Sequence, residues 1–200
     1  MTAQIIAMML FALTMSITPG PVNVTTFSSG VNYGFMPTMP FVTGATICFT
    51  LLLGLVGLGM GGFITLFPFV GKIICFAGAI FISYVGYKIM HSRVSIENKS
   101  ADRPLFHHGF IMQWLNVKAW IACLAGTSAF RLSESYEKLF LFCVIYFVIC
   151  YASIALWAMS GKLTSKLFKN EKHIATINII MGLILISLGV LLVINDGVIS

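Results

Sequence analysis

Lys118 is the residue in this chain best placed to do chemistry. It stands nine residues beyond Gly109 inside an apolar run, roughly 13 Å along a helix at about 1.5 Å per residue. If that run crosses a bilayer, the lysine costs about 2.5–3.5 kcal/mol even on the mildest insertion scale. Such a cation can hold an anionic group and, as an amine, can exchange a proton. The plain alternative is that its four-carbon stem snorkels to the headgroups. Carboxamides that could hydrogen-bond the same ligand are Asn23, Gln113 and Asn116. On a regular helix Gln113, Asn116 and Trp120 share one face, whereas Lys118 is about 200° from Asn116. The two therefore line one wall only where the helix is irregular.

The second chemical feature is Thr18-Pro19-Gly20-Pro21, followed by Asn23. Two prolines remove two backbone donors and clash with the preceding turn, and Gly20 loosens the chain between them. The expectation is a broken helix whose freed backbone groups line a substrate site, because lipid tolerates such irregularity only where protein or water covers it. A simple structural kink is the alternative. No P-loop, G-x-S-x-G or H-E-x-x-H motif occurs, so ATP-driven transport and familiar membrane hydrolysis find no support within the chain. The chain reads as no enzyme, and no cofactor or metal is expected.

The elements that must position these residues follow from composition. Of 200 residues 58% are hydrophobic and 9% charged, against about 25% charged in a soluble domain. No Lys, Arg, Asp or Glu precedes Lys72, and a water-soluble fold could not cover that third. A bilayer span needs about 20 apolar residues. The charged stretches leave room for six, at about Ile5–Phe27, Phe41–Phe63, Phe69–Met90, Gly109–Phe130, Leu139–Ser160 and Ile174–Ile194. The expected fold class is all-α, a polytopic membrane protein whose six transmembrane helices form two inverted three-helix halves. Residues 1–200 make one membrane domain, with halves at about 1–90 and 109–200 and a cytoplasmic loop at about 91–108. Gly57 and Gly61 suit close helix packing; Tyr84, Tyr87 and Lys88 suit an interface belt.

Lys88, Arg93, Lys99, Arg103, Lys162, Lys166, Lys169 and Lys172 fall on one side of the bilayer, and Lys72, Arg131 and Lys138 on the other. The positive-inside bias places the larger group in the cytoplasm and both termini outside. These short basic loops are an orientation signal, so no nucleic-acid partner is expected despite a net charge of +6. Three spans on each side of one loop imply inverted repeats, a transporter architecture. Asn23-Val24-x-x-Phe27 in the first span is echoed by Asn116-Val117-x-x-Trp120 in the fourth. None of the six acidic residues lies mid-span, so a carboxylate proton relay is absent.

Two other transport chemistries are weaker. A metal-ion exporter would rest on His91, His107, His108 and His173, all in cytoplasmic loops. A thiol-redox conductor would need facing thiols in corresponding spans, yet Cys48, Cys75, Cys123, Cys143 and Cys150 leave the first span without one.

The motifs Thr18-Pro19-Gly20-Pro21-x-Asn23, Gly78-x-x-Phe81-x-x-Tyr84-x-x-Tyr87 and Gln113-x-x-Asn116-Val117-Lys118 resemble the LysE/RhtB family of bacterial amino-acid exporters over nearly the whole chain. Most members have Asn-Pro-Lys in the last motif; the Asn-Val-Lys form resembles the cysteine/O-acetylserine efflux branch. The resemblance implies proton-motive-force-dependent efflux of small neutral amino acids across the bacterial inner membrane. The partners it implies are a small amino-acid substrate, protons as coupling ion and the lipid bilayer. A homo-oligomer is an open reading. The implied substrate-binding set is Asn23, Gln113, Asn116 and Lys118, with the helix break at Thr18, Pro19, Gly20 and Pro21.

Overall fold

The computed structural model describes residues 2–60, 66, 68–91, 103–168 and 171–198, and among these all regular structure is helical. The first apolar run is broken as the prolines dictate. Helix α1 (Thr2–Ile17) stops before Pro19, and α2 (Pro21–Tyr33) restarts with Pro21 in its first turn, where a missing N–H costs nothing. The pair is bent by 59°. A single residue, Gly34 at φ 89°, turns the chain into α3 (Phe35–Leu55); this left-handed backbone is why a glycine stands there.

Helix α3 begins six residues before the expected Phe41 because its prolines do not break it. Pro37 lies in the first turn, and Pro40 forfeits one backbone bond. The chain then kinks within Val56–Met60, where Gly59 takes a left-handed backbone at φ 114°. There Gly57 lies against the Leu139 side chain, whereas Gly61 and Phe63 lie outside the described residues.

Helix α4 (Pro68–Met90) packs along α8 (Glu171–Val198). The fourth run divides into α5 (Phe106–Trp114) and α6 (Val117–Phe130), and a 3-10 turn at Leu132–Glu134 leads to α7 (Tyr136–Leu167). At 32 residues α7 is about 48 Å long, more than the roughly 30 Å of a hydrocarbon core.

Among the described residues three helices are long and apolar enough to cross a bilayer: Phe35–Gly59, Tyr136–Leu167 and Lys172–Leu191. The bent pair α1–α2 makes a fourth candidate, and Cys75–Met90 and Val117–Phe130 are shorter apolar helices. The chain is an all-helical membrane protein.

Four glycines fix how the helices cross. Gly30 of α2 and Gly161 of α7 face the carbonyl oxygens of Ala158 and Phe27, and Gly44 of α3 and Gly109 of α5 face those of Phe106 and Phe41. A Cβ at any of the four would fall inside contact distance of backbone, so small residues let these helices touch main chain to main chain. Away from these crossings Phe11, Phe130, Phe142, Tyr146 and Phe49 form a continuous aromatic cluster, with ring centroids 4.3–6.2 Å apart. It joins α1 and α3 to the facing ends of α6 and α7.

Candidate functional site

The broken first span frees carbonyls at the end of α1, and nearly every one finds a side-chain donor. Asn23 Nδ2 donates to Ser16 O (2.8 Å) and Thr18 O (2.9 Å). Trp157 Nε1 of α7 donates to Ile17 O (3.1 Å). Lys118 Nζ reaches across from α6 to Thr18 O (2.7 Å), Thr18 Oγ1 (2.8 Å) and Pro19 O (3.4 Å). An ammonium has three donors, and here each has an oxygen. The negative end of the α1 dipole also favours a cation at this point. Gly20 makes room: a Cβ there would lie 3.1 Å from Lys118 Cδ and 3.4 Å from its Nζ.

The fourth span, whose regularity the sequence left open, is not one regular helix. It breaks at Leu115–Asn116. Asn116 is the N-cap of α6, its Oδ1 accepting from Lys118 N (3.2 Å), and its Nδ2 donates to Gln113 Oε1 (3.2 Å). Trp120 Nε1 satisfies Trp114 O (2.8 Å), with the two indoles edge to face at 5.6 Å. Gly78 of α4 presents no side chain to Leu115 O, which sits where its Cβ would be. The irregularity removes the facing problem posed by a regular helix: Asn116 and Lys118 line the same cavity.

That cavity lies where the two breaks meet, and among its lining residues are Gly20, Asn23, Gln113, Asn116 and Lys118. All four residues of the expected binding set are thus brought together. Thr18 joins them through Lys118, and Pro19 and Pro21 shape the break. Sequence reasoning missed Ser16 on α1, Phe49 on α3, and Tyr146 and Cys150 on α7. Ser16 is buried, and its hydroxyl makes no hydrogen bond of ordinary length, although it lies beside Tyr146 and Cys150. A signal for α7 was available. Tyr146, Cys150, Ser153 and Trp157 recur at steps of four, three and four, one polar-edged face in an apolar helix.

No histidine lines this cavity. His91 lies tilted against Tyr87, His107 tilted against His108, and His173 edge to face with Phe168, and His108 Nδ1 accepts from Leu105 N. Among the described residues no group of three or more His, Cys, Asp or Glu is placed to hold a metal. The five cysteines are free thiols. Tyr84 and Tyr87 are exposed, with Lys88 Nζ 5.8 Å from the Tyr84 ring centroid.

Comparison with known proteins identifies relatives of the chain. The model of the LysE type translocator family matches residues 13–196. A cysteine/O-acetylserine efflux protein of Escherichia coli O139:H28 is 24% identical over 178 residues, covering 88% of this chain and 90% of that protein. Proteins of the same name from Escherichia coli strain K12 and from Shigella flexneri match to the same extent. No solved structure gives a match.

Proposed function

We infer, from a chain that belongs to the LysE type translocator family, that it exports small neutral amino acids or close metabolites of the cysteine and O-acetylserine kind from the bacterial cytoplasm. Members of this family are transporters and not enzymes. The observation that carries the reading is the cavity between two broken helices. It offers one cation, Lys118, three carboxamides and an unbonded hydroxyl against the apolar wall of Phe49, Ala119, Ala122 and Ile154, with no carboxylate among its lining residues. A ligand that complements it has an anionic group, further polar groups and a short side chain. A substrate carboxylate taken up by Lys118, with hydrogen bonds from Asn23, Gln113 and Asn116, fits that description.

The transport frame is six spans in two inverted halves, supported by a break in each of the corresponding spans, α1–α2 and α5–α6. States open to either side alternate around the cavity, and the proton motive force across the inner membrane drives efflux. Purified protein in proteoliposomes, given a panel of labelled amino acids, tests the substrate and the coupling together. Cysteine and O-acetylserine are expected to move, faster with an imposed pH gradient than without. Indifference to every small neutral amino acid would refute the substrate class, and indifference to the gradient would refute the coupling.

The orientation has its own test. With both termini outside and residues 91–108 inside, a cysteine introduced at Gly197 should react with an impermeant maleimide in intact cells, and one at Asn98 should not. The opposite pattern would invert the topology.

A further inference from the structure

We propose that the end of α1, formed by the carbonyls of Thr18 and Pro19 and the Thr18 hydroxyl, is the seat for the α-ammonium group of the substrate. Lys118 occupies this seat when no substrate is bound. The proposal rests on the amino-acid reading above and adds to it where the second charge of the substrate goes.

A zwitterion carries a cation as well as an anion, and a cation taken out of water needs oxygen acceptors. Among the described residues no carboxylate lines the cavity. Two of the carbonyls freed at the break are engaged from within the protein, Ser16 O by Asn23 and Ile17 O by Trp157. The remaining set is Thr18 O, which takes one bond from Asn23 (2.9 Å) and keeps a second lone pair, together with Thr18 Oγ1 and Pro19 O, and it already binds an alkylammonium, that of Lys118, at 2.7, 2.8 and 3.4 Å. A substrate –NH3+ has the same charge and the same three donors. The C-terminal ends of broken helices are where membrane transporters hold cations.

Two further observations make this an exchange. The cavity measures about 30 Å³, space for roughly two waters at about 10–15 Å³ each, so an amino acid enters only if something leaves. The lysine side chain is the flexible occupant, its stem running beside Gly20. Ser16 also lines the cavity; the residue is 7% exposed, and its buried hydroxyl makes no hydrogen bond of ordinary length, with only Tyr146 and Cys150 beside it, a polar atom that a ligand would satisfy. On exchange the seat keeps one positive charge throughout, and the released Lys118 ammonium meets the incoming carboxylate. No second charge is buried without a partner.

The seat and the lysine compete, which gives a result that a purely carboxylate-binding lysine would not. Cysteamine, which has the ammonium but no carboxylate, should bind the wild type poorly because it cannot repay Lys118 for leaving. In Lys118→Met the seat stands free, and cysteamine affinity for purified protein in nanodiscs should rise by about tenfold or more, the scale of a hydrogen bond to a charged group. N-acetylcysteine, with the carboxylate alone, should gain nothing. Adding Thr18→Val removes one acceptor and should cut the gain severalfold. Lys118→Gln serves in place of the methionine variant if that one does not purify as a folded species. Equal cysteamine affinity in the wild type and the charge-free variant would overturn the proposal. Failure of the amino-acid reading looks different: wild-type proteoliposomes would move no neutral amino acid, while the gain in cysteamine binding persisted.

Discussion

Lys118→Met is expected to insert and fold at least as well as the parent and to export nothing above the background of cells lacking the protein. Removing an intramembrane lysine relieves an insertion cost of about 2.5–3.5 kcal/mol, and methionine keeps most of the apolar stem. The substitution leaves little unsatisfied. Thr18 O retains Asn23, and Thr18 Oγ1 retains its bond to Thr14 O (2.9 Å), so only Pro19 O is deprived of its donor. The effect should therefore fall on transport. A charge-assisted contact of about 1.5–3 kcal/mol corresponds to a loss of about 10- to 100-fold in affinity for a carboxylate, and proton exchange at this position is abolished outright. Lys118→Arg keeps the charge, but its planar guanidinium neither matches a three-oxygen seat nor releases a proton. The expected order of efflux from cells loaded with labelled substrate is wild type, then arginine at a low level, then methionine at none. A methionine variant exporting at the parental rate would reduce Lys118 to a tether between α6 and α1.

The two breaks show what local sequence reveals and what it hides. The first was legible because its cause is covalent: prolines at 19 and 21 forbid a continuous helix whatever surrounds them. The second has no proline. Asn116-Val117-Lys118 departs from helix because Asn116 caps α6, Trp120 reaches back to Trp114 O, and Gly78 of another helix leaves space for Leu115 O. Of these partners Gly78 was visible only as part of a motif, without a role. Trp157 was hidden for the same reason. In sequence it is one aromatic in an apolar run, and only the fold sets its indole against the end of α1. The polar residues that line the cavity, Asn23, Gln113, Asn116 and Lys118, were legible one by one, since polar groups in a membrane span stand out against their background. The walls that bound it, Phe49, Tyr146 and Cys150, are ordinary residues of apolar helices and gave no such contrast.

Gly161→Val and Gly109→Val should be the most damaging changes outside the cavity. Substituting a helical glycine normally gains stability, about 0.5–1 kcal/mol for alanine, so a loss must come from the crossings. At Gly161 the added atoms meet Phe27 O, and at Gly109 they meet Phe41 O. Neither is a side chain that can turn away. The backbones must separate, at a cost of the order of 1–3 kcal/mol for overpacking, and the melting temperature should fall. Because only Gly34 separates α2 from α3, the crossing at the end of α2 and the crossing at the start of α3 lie at the same end of the cavity. The aromatic cluster of Phe11, Phe130 and Phe142 lies at the other. Forcing the crossings apart should therefore unseal the cavity at the glycine end alone. Cys150, which lines the cavity and is 3% exposed, reports this. In a chain whose other four cysteines are serine, maleimide should reach it faster from the Gly34 side in either valine variant and at the parental rate from the opposite side. Gly54→Ala is the control, since a Cβ there meets nothing within 4 Å, and it should leave melting and labelling unchanged. If Gly161→Val behaves like Gly54→Ala in both measurements, the crossings are not the seal, and closure at that end must come from elsewhere in the bundle.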